Sequence, residues 1–189
     1  MDHQEAGLRP LQELRNVVVV KYEVLSGGGP DDVVSLTVAL AGEMLAAAGV
    51  DGVDPADKLR DGSAMDVWRR MIAAQGGDPS AALPVAPETH DVAAPSSGVL
   101  TRLDALAVGV AAWRLGAGRA RKEDPVSAVA GVQLHAKPGD AVQAGQPVMT
   151  LHAEDPARFA RALEALEDAV EIGESAGATE PLILDRIAG

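Results

Sequence analysis

The sequence predicts an α/β protein, more narrowly an α+β one, in which a helical first part precedes a second part of mixed strands and helices. Three observations lead there. Val33, Leu36, Leu40 and Met44 recur at spacings of three and four, which is one apolar face of a helix. From Ala128 the period shortens to two, with Val132, Leu134 and Ala136 alternating with Gln133 and His135. Between the two regimes, residues 77–97 are rich in Pro, Ala, Asp and Ser, the composition of a connection.

Taken in order, residues 1–15 show no clean period, and Val17-Val18-Val19-Val20 is a β-branched run suited to a buried strand. Gly27-Gly28-Gly29-Pro30 stops what precedes it. Pro30 then suits the first turn of a helix, with Asp31 and Asp32 beside the positive end of its dipole. That helix runs from Asp32 to Ala48 and ends at Gly49. A short helix covers Pro55 to Arg60, and Ser63-Ala64-Met65-Asp66, read as a capping box, opens another through Ala74. Beyond the connection, Ser97 to Leu100 is a short strand. Asp104 to Leu115 is a helix with Leu106, Val110 and Trp113 on one side, closed by Gly116 and Gly118. Lys137-Pro138-Gly139-Asp140 and Ala144-Gly145 are turns around Val142, and Val148 to Leu151 is a further strand. Arg158 to Ile172 is expected to be a helix, and Leu182-Ile183-Leu184 a closing strand.

Composition narrows the function. The 189 residues carry a formal net charge of −12. Nucleic-acid affinity rests on neutralising phosphates, so a nucleic-acid partner is not expected. Only Tyr22, Trp68, Trp113 and Phe159 are aromatic, which leaves the core to Val, Leu, Ile and Ala. There is no cysteine, in keeping with a reducing cytoplasm. No apolar run approaches the roughly 20 residues that span a bilayer, and the start, MDHQEAGLRP, lacks the pattern of a signal peptide. The expectation is a soluble, cytoplasmic protein without a membrane partner.

Several segments together resemble one family. Gly27 to Asp32, followed by Leu36, Leu40 and Gly42-Glu43-Met44-Leu45, is similar to the glycine-rich turn and helix of the thymidine and pyrimidine-nucleoside phosphorylases. Asp61-Gly62-Ser63-Ala64 and Met71 to Asp78 resemble the next helix and its exit. Leu115-Gly116-Ala117-Gly118-Arg119, with Lys122 and Asp124, resembles the family's glycine-arginine turn. Val132, Lys137 to Val142 and Gly145-Gln146-Pro147 resemble its terminal β module. The order and spacing of these pieces over about residues 23–187 make the resemblance specific.

The resemblance implies a C-terminal part of such an enzyme. Residues 1–22 are a divergent N-terminal segment, 23–80 a helical part of the large α/β domain and 81–97 a linker. Residues 98–189 are the C-terminal α+β domain with a barrel-sandwich-like β hairpin. Family members cleave thymidine with phosphate to thymine and 2-deoxyribose 1-phosphate, a reversible pentosyl transfer of nucleoside salvage. Phosphate is held by the large domain, and the base by an Arg, a Ser and a Lys of a small helical domain. The family signature, Ser-Gly-Arg-Gly leading into Thr-Gly-Gly-Thr, does not occur in this sequence. No catalytic, phosphate-binding, substrate-binding or metal-binding residue is therefore carried over, and no cofactor is expected. One subgroup binds a monovalent cation near the glycine-rich turn through an acidic side chain, but the matching position here is Gly28. Phosphate and pyrimidine nucleoside are expected as partners of the full-length family only. A homo-oligomer, or pairing with a separate N-terminal half, is expected because the apolar face at Val33, Leu36, Leu40 and Met44 would lack neighbours, each large aliphatic being worth about 1.5–3 kcal/mol when buried. The alternative function is a non-catalytic interaction or assembly module.

Individual features have plainer readings. Gly27 to Pro30 lacks the Lys and Ser/Thr of a P-loop, and Asp31 and Asp32 oppose an anion, so it reads as a turn. Gly116 to Lys122 concentrates positive charge and reads as a solvated turn, with phosphate or a neighbouring subunit as the sharper possibilities. His3, His90, His135 and His152 show no metal-ligand spacing, and Glu88 and Asp91 beside His90 read as solvated loop residues. Ser96-Ser97 offers no base for nucleophilic catalysis. Gly131 to Leu151 also resembles biotinyl or lipoyl carrier domains, but His152-Ala153-Glu154-Asp155 stands where the carrier lysine would be expected.

Overall fold

A computed structural model describes residues 22–175 and 181–187. The chain divides between Ala82 and Leu83 into two compact units, the first comprising 22–82 with 181–187 among the described residues, the second 83–175. The valine run at 17–20 and His3 lie outside the described residues.

The first unit is helical. Residues 22–25 form a helical turn that ends at the triple glycine. Helices α1 (Asp31–Ala47), α2 (Pro55–Arg60) and α3 (Ser63–Ala74) follow. Pro30 stands just before α1, in extended backbone, rather than in its first turn. The end of α1 is set by Gly49, whose φ of 67° lets the Gly49 and Val50 amides turn back to the Ala46 and Leu45 carbonyls. Asp54 caps α2 by accepting from the Ala56 amide at 2.9 Å. Ser63 is not the cap of α3. Gly62, at φ 79°, takes the cap position and Asp61 accepts the Ser63 amide, so a glycine and the preceding carboxylate do what the Ser63–Asp66 box was expected to do. Val24, Leu59 and Met65 are the buried apolar residues of this unit, with Tyr22 set edge-on to Trp68 at 6.0 Å between ring centroids.

The apolar face of α1 forms as the periodicity predicts, but it is left exposed among the described residues. No residue of α1 is buried, and Leu40 and Met44 are 56% and 73% exposed. The closing strand expected at 182–184 is absent. These residues are irregular and exposed, and the segment is tied to α1 by Arg186, which pairs with Glu43 at 2.7 Å.

The second unit holds two three-stranded antiparallel sheets. One has the order β1 (Glu88–Ala93), β5 (Pro147–Ala153), β3 (Gly131–Leu134), and the other β4 (Ala141–Val142), β2 (Gly98–Leu103), β6 (Val170–Gly173). Helix α4 (Ala105–Ala112) runs into a π-helical turn, Trp113–Ala117, and a 3-10 turn, Pro156–Arg158, leads into α5 (Phe159–Ala165). The fold is mixed α+β, as the sequence predicts. Where a β hairpin was expected, β3 pairs with β5, while β4 between them joins the other sheet.

Three local expectations give way to tertiary contact. Residues 88–93, inside the stretch 81–97 read as a linker, form β1 and pair with β5 along its length. Val92 and His90 stand opposite Met149 and Leu151, so a polar segment gains a ladder from its partner strand. The helix expected from Arg158 to Ile172 stops at Ala165, because Val170 and Ile172 alternate with Glu171 and pair with Leu103 and Leu100 of β2. Helix α4 turns the other way from the expected face. Leu106 is 78% exposed and Trp113 half-exposed, whereas Ala111 and Leu115 are fully buried. The small side chains of Ala111 and Ala162 let α4 and α5 approach closely, and the large ones are left outside. Asp104 starts this helix by accepting the Ala107 amide at 2.9 Å while Arg102 holds its other oxygen at 2.7 Å. Together these contacts hold its carboxyl below the usual range, the amide first.

The two sheets and both helices close on one aliphatic cluster in which Leu100, Leu115, Val148, Met149 and Leu151 have no exposed surface. Gly98 shows how tightly β2 lies on β6, since a Cβ there would meet the Gly173 carbonyl oxygen at 2.5 Å and Ile172 Cγ2 at 2.8 Å. Gly98→Ala is expected to destabilise this unit by about 1–3 kcal/mol. Gly131→Ala, which meets nothing within 4 Å, should change stability by about 0.5 kcal/mol or less. Urea unfolding followed by Trp113 fluorescence in a Trp68→Phe background checks both, and equal midpoints for the two variants would contradict the packing described.

Candidate functional site

The residues singled out from the sequence fall into three places. The first is the glycine-rich turn. The Gly27 and Gly28 amides close the preceding helical turn onto the Val24 and Glu23 carbonyls at 3.0 and 2.9 Å. A Cβ at Gly29 would meet Val24 Cγ2 at 2.8 Å. The Gly27 and Gly28 donors are thus occupied within a tight turn, and Gly29 is fixed by packing on Val24.

The second place is the face of the β1–β5–β3 sheet that carries Asp91, Thr150 and His152. Thr150 donates its hydroxyl to Asp91 Oδ1 at 2.6 Å, and His135 Nε2 lies 2.7 Å from Thr150 Oγ1. With the Thr150 proton committed to the carboxylate, the hydroxyl oxygen accepts from His135, which therefore carries its proton on Nε2. A base that donates to the hydroxyl does not activate it as a nucleophile. Asp91, read from the sequence as a solvated loop residue, is thus an ordered member of a strand network. His90 points the other way and packs on Phe159, with 5.6 Å between ring centroids.

His152 stands on this face with both ring nitrogens buried and without a hydrogen-bond partner. Burial first, and the neighbouring His135 second, lower its pKa from 6.5, against a smaller opposing pull from Asp91. No group of three or more His, Asp or Glu side chains among the described residues is placed to hold a metal. Ser97 accepts the Ala144 amide at 2.9 Å and so closes a turn. Strand β5 passes directly into the 3-10 turn at Pro156, so the chain has neither a hairpin tip nor a lysine where a carrier domain would bear its group.

The third place is a cavity of about 370 Å³ lined by Trp113, Arg114, Gly118, Asp124, Arg158 and Arg161, among others. The turn Gly116 to Lys122, read from the sequence as solvated, forms part of its wall. Arg158 and Arg161 did not emerge from the sequence, because they lie more than forty positions from Arg114 in the chain. The only local signal is two arginines three residues apart in an acidic chain.

Comparison with known proteins places this architecture. Residues 99–173 match the pyrimidine nucleoside phosphorylase C-terminal domain. The chain is 52% identical over 170 residues to a thymidine phosphorylase of Mycobacterium tuberculosis strain H37Rv, covering 90% of this chain and 40% of the relative. Residues 99–173 are thus a pyrimidine nucleoside phosphorylase C-terminal domain. A pyrimidine-nucleoside phosphorylase of Bacillus subtilis is 37% identical over 151 residues, covering 73% of this chain and 35% of the relative. A thymidine phosphorylase of Burkholderia cenocepacia is 35% identical over 166 residues, covering 80% and 37%. The chain thus spans about two fifths of the length of these phosphorylases. The matched domain runs from the second residue of β2 through α4, β3, β4, β5 and α5 to the end of β6, and leaves out β1. No described helix is long and apolar enough to cross a membrane.

The lowered pKa of His152 has a measurable consequence. The unfolded chain takes up a proton near pH 6.5 and the folded chain resists it, so stability is greatest above that pH and falls as pH drops below it. His152→Gln is expected to flatten this dependence. Urea midpoints between pH 5.0 and 7.5 measure it, and an unchanged slope in the variant would show that His152 is not the titrating group.

Proposed function

We propose that this chain supplies the late helices and C-terminal α+β module of a thymidine (pyrimidine-nucleoside) phosphorylase. That enzyme is a pentosyltransferase that cleaves thymidine with phosphate to thymine and 2-deoxyribose 1-phosphate. What supports this is 52% identity to a thymidine phosphorylase over 90% of the chain, in a sequence without the Ser-Gly-Arg-Gly and Thr-Gly-Gly-Thr motifs. In this reading residues 23–80 belong to the large α/β domain, 98–189 are the C-terminal domain, and 1–22 depart from the family pattern. The chain works in the cytoplasm, holds no cofactor, and contributes scaffold.

The chemistry of the cleavage explains the division. Phosphate attacks the anomeric carbon as the base leaves, so the enzyme must hold an anionic nucleophile and stabilise charge developing on the pyrimidine. Neither the glycine-rich turn nor the Asp91–Thr150–His135 network presents donors in that manner. In this reading the reacting phosphate and the nucleoside are gripped by the family motifs that these 189 residues lack, and the chain by itself does not turn over. The test is a chimera in which this chain replaces the matching stretch of the M. tuberculosis enzyme. It is expected to release thymine from thymidine and phosphate, while this chain alone releases none. A folded but inactive chimera, or turnover by the chain alone, would refute the assignment.

The uncovered face of α1 favours a second element of the proposal, contact with another polypeptide. Leu36, Leu40 and Met44 are exposed along one side of that helix. Such a stripe is expected either to self-associate, giving a homo-oligomer, or to pair with a separate N-terminal half. Light scattering is expected to show a species larger than a monomer, and Leu40→Glu with Met44→Glu to shift it toward the monomer. A monomer at all concentrations, without dye-binding apolar surface, would contradict this.

A further inference from the structure

We propose that the arginine-lined cavity of the second unit binds phosphorylated small molecules, with Arg158 and Arg161 taking the phosphoryl group and Trp113 the carbon skeleton. The site includes none of the motifs by which the family holds its own phosphate, which this sequence lacks, and it does not depend on the phosphorylase reading.

Charge is the first observation. In a chain with 28 acidic and 16 basic residues, acids are abundant enough to pair every cation. Arg60, Arg69, Arg102 and Arg186 each have a carboxylate partner. Arg158 and Arg161, like Arg70, Arg119, Arg121 and Lys122, have none within 4.0 Å among the described residues, but these two lie three positions apart and face one cavity. Arg114 joins them. It donates to the Arg161 carbonyl oxygen at 2.5 Å, reaches Glu164 only at 3.5 Å, and has a buried Nε–H without an acceptor. The one acid on the wall, Asp124, is already engaged by the Ala120 and Arg121 amides at 3.2 and 2.8 Å. The cavity therefore presents two unpaired guanidinium groups, a third that is held by Glu164 and the Arg161 carbonyl, and a single lining carboxylate that backbone donors already hold.

Geometry is the second. The cavity's volume, about 370 Å³, falls among the few hundred Å³ typical of small-ligand sites. Its walls depend on the glycines of the Gly116–Arg119 turn. Gly116 stands at φ 116°, and a Cβ there would lie 3.2 Å from an Arg158 guanidinium nitrogen. At Gly118 a Cβ would lie 3.0 Å from Trp113 Cδ1. The absent side chains let the guanidinium and the indole lie close over the backbone.

Chemistry selects the ligand. Guanidinium forks match the oxygens of a phosphoryl group, which near pH 7 carries close to two charges and three acceptors. A single carboxylate would satisfy one fork. The half-exposed indole of Trp113 offers an apolar plate for a sugar-sized skeleton. A polynucleotide is disfavoured by the overall charge of −12.

The test uses the full chain carrying Trp68→Phe, which leaves Trp113 as the only tryptophan reporter. Ribose 5-phosphate, inorganic phosphate and ribose are titrated at matched ionic strength. Ribose 5-phosphate is expected to give a saturable fluorescence change with a midpoint of about 1 mM or lower, and ribose none. Inorganic phosphate should bind more weakly, and Arg158→Gln and Arg161→Gln should each weaken the ester by about tenfold. Both arginines are exposed, and an unchanged thermal midpoint shows that the variants fold. No saturation up to about 10 mM, an equal response to ribose, or variants that bind as tightly as the parent would overturn the assignment. Equal affinity for inorganic phosphate and the ester would overturn the part given to Trp113. Binding is read without turnover, so this result stands apart from the activity of the chimera.

Discussion

The second unit depends on one constraint: an aliphatic core with almost no aromatic side chains must be closed by short distances. Four aromatic residues in 189 leave little bulk for filling gaps. Contact comes instead from Ala111 against Ala162, from Leu115 over the β1–β5–β3 sheet, and from β2 drawn onto β6 at Gly98. Dispersion falls steeply with distance, so a core of Leu, Val, Met and Ala is stable only where small residues allow this approach. The facing of α4, the early stop of α5 and the strand at Val170–Gly173 all follow from that demand.

The same close packing arranges the polar groups. Thr150 and His152 share one face because residues two apart in a strand do so, Asp91 joins them as the cross-strand partner of Thr150, and His135 reaches that face from the end of β3. The Gly116–Arg119 turn brings Arg114 beside Arg158 and Arg161, which the chain reaches only after two further strands of one sheet and one of the other. In both places the chemistry is a product of sheet register and helix approach. The motif carrying the family likeness, Leu115 to Arg119, serves chiefly as a hinge of backbone geometry: its glycines take positive φ or leave room for Arg158 and Trp113.

The first unit behaves differently. Its helices start and stop at sharply specified places, yet its buried apolar residues are few and the face of α1 is open. A helix whose apolar stripe meets solvent is maintained by caps and local hydrogen bonds, with its burial energy still unclaimed. This suits a segment that in the phosphorylase relatives belongs to a much longer chain, of which the present one covers about two fifths.

The sequence alone determined the mixed α+β class, helix α2 to the residue, α1 and α3 to within a residue or two, and the strands at β2, β3 and β5. These are set by glycine, proline and apolar spacing within one element, which are local causes. It also determined the family of the C-terminal domain, since the order of short motifs survives without knowledge of their contacts. Tertiary structure decided the rest. Strand β1 is polar and gains its ladder only from β5, β6 looks helical until β2 pairs with it, and the outward side of α4 looked like its core face because small residues were needed within. The Asp91–Thr150–His135 network and the arginine cavity join residues 15 to 59 positions apart. Local periodicity carries no information about such distances, because they are closed by pairing and packing between elements.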